Sequence, residues 1–185
     1  MPDPADERFA AELHGSGFRL RRWRSDDLEA LLHHADDAEV ERGLSDRFPH
    51  PYTRADGEAF LAGRVVDLRH PVFAIEVDGE ACGGIGVRPL EGERRIGAEL
   101  GYWIGRRHWG HGLMTRVVGM FAPWAMEELH LERLQATVLD SNPASARVLE
   151  KNGFVEEGLL RRAVTKHGHV HDLRMFAMVR EQQSR

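Results

Sequence analysis

Residues 106–112 read Arg106-Arg107-His108-Trp109-Gly110-His111-Gly112 and separate two stretches of different pattern. A strand-like run ends at Ile104 before them, and a helical run begins at Leu113 after them. Two glycines spaced i, i+2 let a backbone approach a ligand closely, and the following helix offers unpaired N–H groups and the positive end of its dipole. The stretch therefore predicts either a phosphate-binding loop or a tight strand-to-helix turn that binds nothing.

Two common nucleotide-binding loops can be tested against the residues after Gly112. A P-loop requires Lys and then Ser or Thr at once after its second glycine, but Leu113 and Met114 stand there. A dinucleotide fingerprint requires a third glycine where the chain has Thr115. Both patterns fail, which disfavours a nucleotide-binding kinase or oxidoreductase and leaves another phosphate-bearing ligand.

A second motif follows the predicted buried strand at Leu134–Leu139. Asn142 is a good helix N-cap, Pro143 suits the first helical position, and Asn152-Gly153 ends the helix. These features could be purely structural.

Both motifs, taken in order, resemble the GNAT superfamily of N-acetyltransferases. Arg107-x-x-Gly110-x-Gly112 is similar to its acyl-CoA pyrophosphate loop, whose pattern is Arg or Gln, two residues, Gly, one residue, and Gly or Ala. The run from Asn142 to Phe154 is similar to the NxxSxxxxExxGF signature of the ribosomal-protein N-acetyltransferases of the RimJ/RimL type. The resemblance spans about Phe18 to Val179, with Pro123 inside the first motif helix as a departure.

The resemblance implies an acetyl-CoA-dependent N-acetyltransferase, of the EC 2.3.1 type, that moves the acetyl group directly to an amine in a ternary complex. Asn142 would hold the pantetheine arm, Ser145 would donate a hydrogen bond near the departing thiolate, and a backbone N–H of Tyr102 to Ile104 would bind the oxyanion. The expected cofactor-binding residues are Tyr102, Trp103, Ile104, Arg106, Arg107, His108, Trp109, Gly110, His111, Gly112, Leu113, Asn142 and Ser145.

Glu99 is the candidate general base, because it lies on the strand that enters the loop, two residues before Gly101. Its alternative is an exposed or ion-paired glutamate of a strand. The only thiol, Cys82, lies in a glycine-rich strand and is expected to be buried and inert, which favours direct transfer over an acyl-enzyme.

The predicted elements come in a mixed order, which indicates an α+β fold. The resemblance implies a mixed, mostly antiparallel sheet of about seven strands, with splayed fourth and fifth strands, flanked by about four to five helices. Residues 1–12 are expected to form an N-terminal tail and residues 13–185 a single domain. We expect strands at 18–23, 72–77, 81–89, 94–104, 134–139, 154–164 and one ending near 179, and helices from Ser25, at 38–44, at 53–68, and after Gly112 and Asn142.

Composition limits the classes of partner. The 185 residues carry a net charge of −5, which argues against a broad nucleic-acid surface, and the basic run from Arg19 to Arg24 is expected to be the solvated side of a strand. With one cysteine, no signal peptide and no transmembrane run, we expect a cytoplasmic protein that does not contact a membrane. The partner is expected to be an amine-bearing acceptor, either a peptide N-terminus or a small molecule.

Eleven histidines raise the question of a metal, most of all His167, His169 and His171 with Asp172. A turn at Gly168 leaves only two of these histidines on one strand face, too few for a zinc set, so no metal is expected. A non-catalytic acyl-CoA-binding or sensing module stays open as the alternative to an enzyme. The superfamily often dimerises, so the resemblance allows a homodimer.

Overall fold

The computed structural model describes residues 12–181. Apart from Glu12, the expected N-terminal tail lies outside the described residues. The chain divides into two compact units: within the described part, unit 1 comprises residues 12–86 and 102–117, and unit 2 comprises residues 87–101 and 118–181.

Eight strands and five α-helices lie along the described part of the chain, with three short 3-10 helices between them. The strands are β1 Leu13–Gly15, β2 Phe18–Arg22, β3 Val72–Val77, β4 Glu80–Pro89, β5 Gly97–Ile104, β6 Arg133–Leu139, β7 Val155–Lys166 and β8 His169–Val179. The α-helices are α1 Leu28–Ala35, α2 Ala38–Arg42, α3 Arg54–Leu61, α4 Leu113–Glu128 and α5 Pro143–Lys151. All eight strands belong to one mixed sheet in the order β1-β2-β3-β4-β5-β6-β8-β7.

In unit 1, antiparallel pairing joins β1 to β2, β2 to β3 and β3 to β4. A hydrophobic cluster of Leu31, Ala35 and Tyr52 packs beside the helices, and partly buried apolar side chains surround it. Burial raises the pKa of the Tyr52 hydroxyl to about 12. The apolar face of α1 is thereby covered, which is the main reason that so short a helix is stable.

Arg21 is a correction to the expected solvated run from Arg19 to Arg24. Its guanidinium is buried and binds both carboxylate oxygens of Asp27 at 2.7 Å, while its Nε donates to Glu76. Glu76 also accepts from Arg19 Nε at 2.6 Å. The alternation of basic and apolar residues correctly predicted that Arg21 lies on a strand. Its charge can be buried only because the carboxylates of Asp27 and Glu76, 6 and 55 residues away, neutralise it.

In unit 2, the parallel pairing of β5 with β6 covers Gly97↔Arg133, Ala98↔Leu134 and Glu99↔Gln135. The pairing stops there although β6 continues to Leu139, as expected for strands that splay. On its other side β6 pairs antiparallel with β8 along its whole length, and β8 pairs with the edge strand β7.

The helix α4 contains Pro123 and nevertheless runs unbroken from Leu113 to Glu128. Gly119, four residues before the proline, relieves the clash of the ring with the preceding turn. It has a second role in unit 2, because a Cβ at this position would lie 2.7 Å from the Asn152 side-chain oxygen.

The expected α+β class and mixed sheet are confirmed, and five helices lie within the expected range. The sheet has eight strands rather than seven because of the three-residue strand β1. The helix expected at 53–68 is wrong beyond Leu61, because Gly63 adopts a φ of 72° that ends a helix. The strand expected from Arg94 begins only at Gly97, after a short 3-10 helix at Gly92–Arg94. Within residues 12–181, no helix is long and apolar enough to cross a membrane.

Candidate active site

The loop at residues 106–112 begins with a single turn of 3-10 helix, Arg106–His108. The backbone N–H of His108 donates to Gly105 O at 3.0 Å, and that of Trp109 donates to Arg106 O at 3.0 Å. The indole N–H of Trp109 turns back and donates to Ile104 O at 2.9 Å. The loop is therefore fixed by its own hydrogen bonds to the end of β5.

Gly110 and Gly112 adopt φ values of 80° and 69°, the left-handed region that favours glycine. No atom lies within 4 Å of where a Cβ of Gly110 would be, and Gly112 has only the Arg116 guanidinium at 3.7 Å. The loop thus presents exposed backbone directly before α4, and the start of a helix carries the positive end of its dipole. This is the geometry expected of an anion site.

The basic side chains of the loop are held by residues from earlier in unit 1. Arg106 Nε lies 3.0 Å from Asp37 Oδ2, and Arg107 Nη2 lies 3.0 Å from Glu80 Oε1. Arg107 Nε also donates to His108 Nε2 at 3.1 Å. The same Glu80 oxygen lies 2.8 Å from His34 Nε2.

His34 is a buried histidine at the base of the loop, with 3% of its side chain exposed. Burial lowers its pKa, although the bond to Glu80 opposes this effect. For Glu80, burial by itself raises the pKa, but the hydrogen bonds from His34 and Arg107 outweigh it and the net direction is downward. The cluster is therefore a neutral imidazole that donates to a carboxylate, which in turn holds Arg107.

The remaining predicted cofactor-binding residues of unit 1 lie at the end of β5. Trp103 packs edge-to-face on Phe48 at a centroid distance of 5.1 Å, and a Cβ at Gly84 would lie 2.9 Å from its Nε1. Ile104 is buried, whereas Tyr102 is half-buried. Trp23, which packs on Phe60 at 5.1 Å, has an indole N–H that is buried without a hydrogen-bond partner among the described residues.

In unit 2, the Glu99 side chain is partly exposed, with 28% of its surface accessible. Its Oε2 accepts from Arg88, and its Oε1 accepts from Thr137 Oγ1 at 3.4 Å. Gly101 lies on the same strand with nothing within 4 Å of where its Cβ would be. Glu99 is therefore ion-paired with Arg88, as its alternative expected, and its partial exposure leaves the carboxylate accessible to a ligand.

The second motif forms the helix that was predicted for it. Asn142 is the N-cap of α5, its side-chain oxygen accepts from the Ser145 backbone N–H at 3.2 Å, and Pro143 is the first helical residue. Ser145 is half-buried on the first turn. The N-cap predicted at Asn142 is confirmed.

The structure distinguishes between the candidate metal ligands. His171 Nδ1 lies 3.3 Å from Asp140, and Asp172 accepts from the Arg162 backbone N–H at 2.7 Å. Among residues 12–181, three ligand atoms come within 4.8 Å of one another only at His33, His34 and Glu80, not at the hairpin histidines. Since Arg107 already contacts Glu80, a guanidinium charge stands beside that set.

Cys82 is buried, and its thiol donates to Ile75 O at 3.4 Å. Burial raises the pKa of this thiol to about 12. A thiol that stays protonated at neutral pH is a poor nucleophile, in agreement with the expected inert cysteine.

A family model for the acetyltransferase (GNAT) domain matches residues 18–155. The "Uncharacterized N-acetyltransferase p20" of Bacillus licheniformis is 27% identical over 177 residues, 92% of this chain and 97% of the relative. The "Ribosomal-protein-serine acetyltransferase" of Escherichia coli is 27% identical over 112 residues, 60% of this chain and 62% of the relative. The solved structure of Mycobacterium smegmatis RimJ in complex with CoA-disulfide has a TM-score of 0.77 and 27% identity, covering 88% of this chain and 81% of that one.

The fold and these matches define the class of protein as an N-acetyltransferase. The chain belongs to the GNAT acetyltransferase family. Ribosomal-protein N-acetyltransferases among its relatives confirm the resemblance to the RimJ/RimL type.

Sequence reasoning did not find the residues that hold the loop from outside it. His34 lies on α1, Asp37 lies in the turn after α1, and Glu80 is the first residue of β4. All three are far from the loop along the chain. No motif marks them, and only the folded chain brings their side chains to Arg106 and Arg107.

Proposed function

We propose that this chain transfers the acetyl group of acetyl-CoA directly to a primary amine in a ternary complex. The observation that carries the proposal is the backbone of Gly110 and Gly112, which is exposed at positive φ directly before α4. A diphosphate fits such a loop because its oxygens can accept from exposed backbone N–H groups and because the start of α4 carries the positive end of the helix dipole. Open space beside both glycines leaves room for that ligand.

The cofactor-binding set expected from the sequence is proposed unchanged. Arg106 to Leu113 contact the diphosphate, the backbone of Tyr102 to Ile104 pairs with the pantetheine arm, and Asn142 binds that arm as well. Ser145 donates to the departing sulfur. The structure supports the set through the exposed loop backbone and the position of Asn142 and Ser145 on the first turn of α5.

In the proposed reaction the amine nitrogen attacks the thioester carbonyl, a C–N bond forms, and the C–S bond breaks. Glu99, directly or through water, takes the proton that the amine loses. The thiolate leaves while it accepts a hydrogen bond from Ser145, and it then takes a proton from water. At pH 7 a peptide N-terminus with a pKa near 7.7 costs about 1 kcal/mol to deprotonate, whereas a lysine near 10.4 costs roughly 4.6 kcal/mol. The buried thiol of Cys82 supports transfer without an acyl-enzyme. No metal takes part in the proposed steps.

The acceptor is proposed to be a protein N-terminus or a small cationic amine. The name of the Escherichia coli relative supports the first, and the net charge of −5 favours a cationic molecule in general. The aromatic side chains of Trp23, Phe48 and Trp103 are proposed as one wall of the acceptor site. We further propose a cytoplasmic enzyme consisting of one domain at residues 13–185, with a homodimer allowed by the family.

The test is incubation with acetyl-CoA and a panel of N-terminal peptides, polyamines and aminoglycosides, with release of free thiol as the readout and mass spectrometry of the acceptor. Turnover on one class of amine is the expected result. Binding of acetyl-CoA without turnover on any amine would support the acyl-CoA sensor instead. Stabilisation by ATP or NAD in preference to CoA would contradict both.

Gly110→Ala provides a matched test of the loop. Gly17 has the same φ of 80° and equally open surroundings in the turn between β1 and β2. Alanine at either position has a similar backbone strain, so the two variants should lose similar stability. Only Gly110→Ala should weaken binding of CoA.

A further inference from the structure

Three consecutive loop residues, Arg106, Arg107 and His108, have partners outside the loop. Arg106 pairs with Asp37 at 3.0 Å, Arg107 pairs with Glu80 at 3.0 Å, and the His108 ring lies 5.6 Å from the His34 ring. These contacts lie on one turn of 3-10 helix that Trp109 separates from Gly110. The position of the turn is therefore set from outside the loop.

Glu80 is the centre of this arrangement, because a single oxygen, Oε1, contacts both Arg107 and His34. The carboxylate is partly shielded, with 40% of its side chain exposed, whereas 3% of the His34 side chain is exposed. The neutral imidazole adds a hydrogen bond to Glu80 without cancelling its negative charge. The negative charge of Glu80 therefore remains available to hold the Arg107 guanidinium.

Arg107 uses only one edge of its guanidinium in these contacts. Nη2 points to Glu80 and Nε donates to His108 Nε2 at 3.1 Å. A guanidinium has five N–H donors in a planar fork, so Nη1 is left to contact a ligand. Half of the side chain is exposed, which allows that contact.

The backbone at the base of the loop is fixed by the same histidine. Gly105 N donates to Cys82 O at 2.8 Å, and the Gly105 α-carbon lies against the His34 ring. Glu80 begins β4, two residues before Cys82. The Glu80 carboxylate, the His34 imidazole and the start of the loop are thus linked by direct contacts.

From these contacts we infer that Glu80 and His34 are positioning residues for the diphosphate of acetyl-CoA. Glu80 holds one edge of Arg107 so that the other edge faces the diphosphate, and His34 orients Glu80. The inference rests on the proposed function, since it names the residues that prepare the proposed loop for its ligand. It differs from a purely structural role, because its effect must pass through Arg107 and through a diphosphate.

Glu80→Gln removes the charge and keeps the shape of the side chain. With acetyl-CoA we expect the KM to rise about 5- to 30-fold, because Arg107 keeps its charge and loses only the ion pair that orients it, while kcat changes less than about two-fold. S-acetylpantetheine, which has no diphosphate, should be used equally well by wild type and variant. Glu29→Gln is the matched control, because Glu29 is an exposed partner of Arg54 in unit 1 and should change neither donor.

A double-mutant cycle then tests the route through Arg107. In an Arg107→Met background, Glu80→Gln should have no further effect on the KM for acetyl-CoA. In the wild-type background, His34→Phe, which has no N–H to donate to Glu80, should raise the KM in the same direction as Glu80→Gln. The inference would be overturned if Glu80→Gln raised the KM equally for acetyl-CoA and S-acetylpantetheine, or if its effect on the KM were additive with that of Arg107→Met. Tighter binding of acetyl-CoA by Glu80→Gln would overturn it as well.

The same variants are measured by calorimetric titration with CoA and with pantetheine, which separates this inference from the proposed function. If wild type binds CoA but acetylates no amine, the catalytic proposal fails while the dissociation constants still decide the role of Glu80. We expect about 5- to 30-fold weaker CoA binding by Glu80→Gln and equal pantetheine binding. If wild type does not bind CoA, both proposals are wrong.

Discussion

Gly105 lies so close to the imidazole of His34 that a Cβ at position 105 would be 2.3 Å from Nδ1. The ring cannot move aside easily, because its Cγ and Cβ would also lie at 3.0 and 3.1 Å and the side chain is buried. Gly105→Ala should therefore lower the free energy of unfolding by about 1–3 kcal/mol, the usual cost of overpacking. Urea unfolding of the variant measures this change.

Gly101→Ala is the control for that change, since nothing lies within 4 Å of its Cβ position and its φ is not positive. Its free energy of unfolding should stay within about 0.5 kcal/mol of wild type. Equal stability of Gly105→Ala and Gly101→Ala would show that the contact with His34 relaxes without cost.

Acidification should destabilise the protein through His34. Its pKa in the folded state is lowered from 6.5, mainly by burial, so an unfolded chain binds a proton at a pH where the folded chain does not. The contribution of this histidine is fully present above pH 6.5 and is lost as the pH falls through 6.5 towards the folded value. His34→Gln keeps an N–H for Glu80 and does not titrate, so it should lose less stability than wild type between pH 8 and pH 5.5.

Urea unfolding at the two pH values measures that difference, with His111→Gln as control because His111 is an exposed histidine. The control should keep the pH dependence of wild type. Glu80, Arg107, His33 and His108 face His34, and they are unchanged in both variants. The same loss in His34→Gln as in wild type would place the acid-sensitive group elsewhere.

The motifs predicted those parts of the fold and site that depend on local backbone geometry. Gly110 and Gly112 require positive φ, and Asn142-Pro143 requires a helix start, so the residues themselves indicate both structures. The order of strands and helices likewise indicated an α+β fold.

Long-range partners could not be predicted in this way. Arg21 looked like a solvated residue because the carboxylates that neutralise it are elsewhere in the chain. Glu80 fell between two predicted strands, 72–77 and 81–89, and nothing marked it as a partner of Arg107. For both residues the decisive contact is with a side chain far away in the sequence, and no motif relates the two positions. The end of α3 was missed for a local reason, because the helix expected at 53–68 ran past Gly63, whose positive φ ends it.

Glu99→Gln should lower kcat, because the amide cannot accept the proton of the amine. Loss of a general base costs about 10²–10⁴-fold, and the loss should be larger for a lysine-like amine than for a peptide N-terminus, whose lower pKa makes deprotonation easier. Steady-state kcat values over a range of pH, measured with one acceptor of each kind, provide the comparison. Glu93→Gln, an exposed glutamate of unit 2, is the control. Rates of Glu99→Gln equal to those of the control would remove Glu99 from the mechanism.

Asn142 has a role in stability that can be separated from its proposed role in binding. Its side-chain oxygen caps α5 through the Ser145 N–H at 3.2 Å, so Asn142→Ala should lower the free energy of unfolding by about 0.5–2 kcal/mol. Asn142→Asp keeps an oxygen that can accept this bond and should keep the stability, but it loses the amide N–H groups that are proposed to bind the pantetheine arm. We expect urea unfolding of Asn142→Asp to match wild type while its KM for acetyl-CoA rises. A wild-type KM in Asn142→Asp would show that Asn142 acts only as a helix cap.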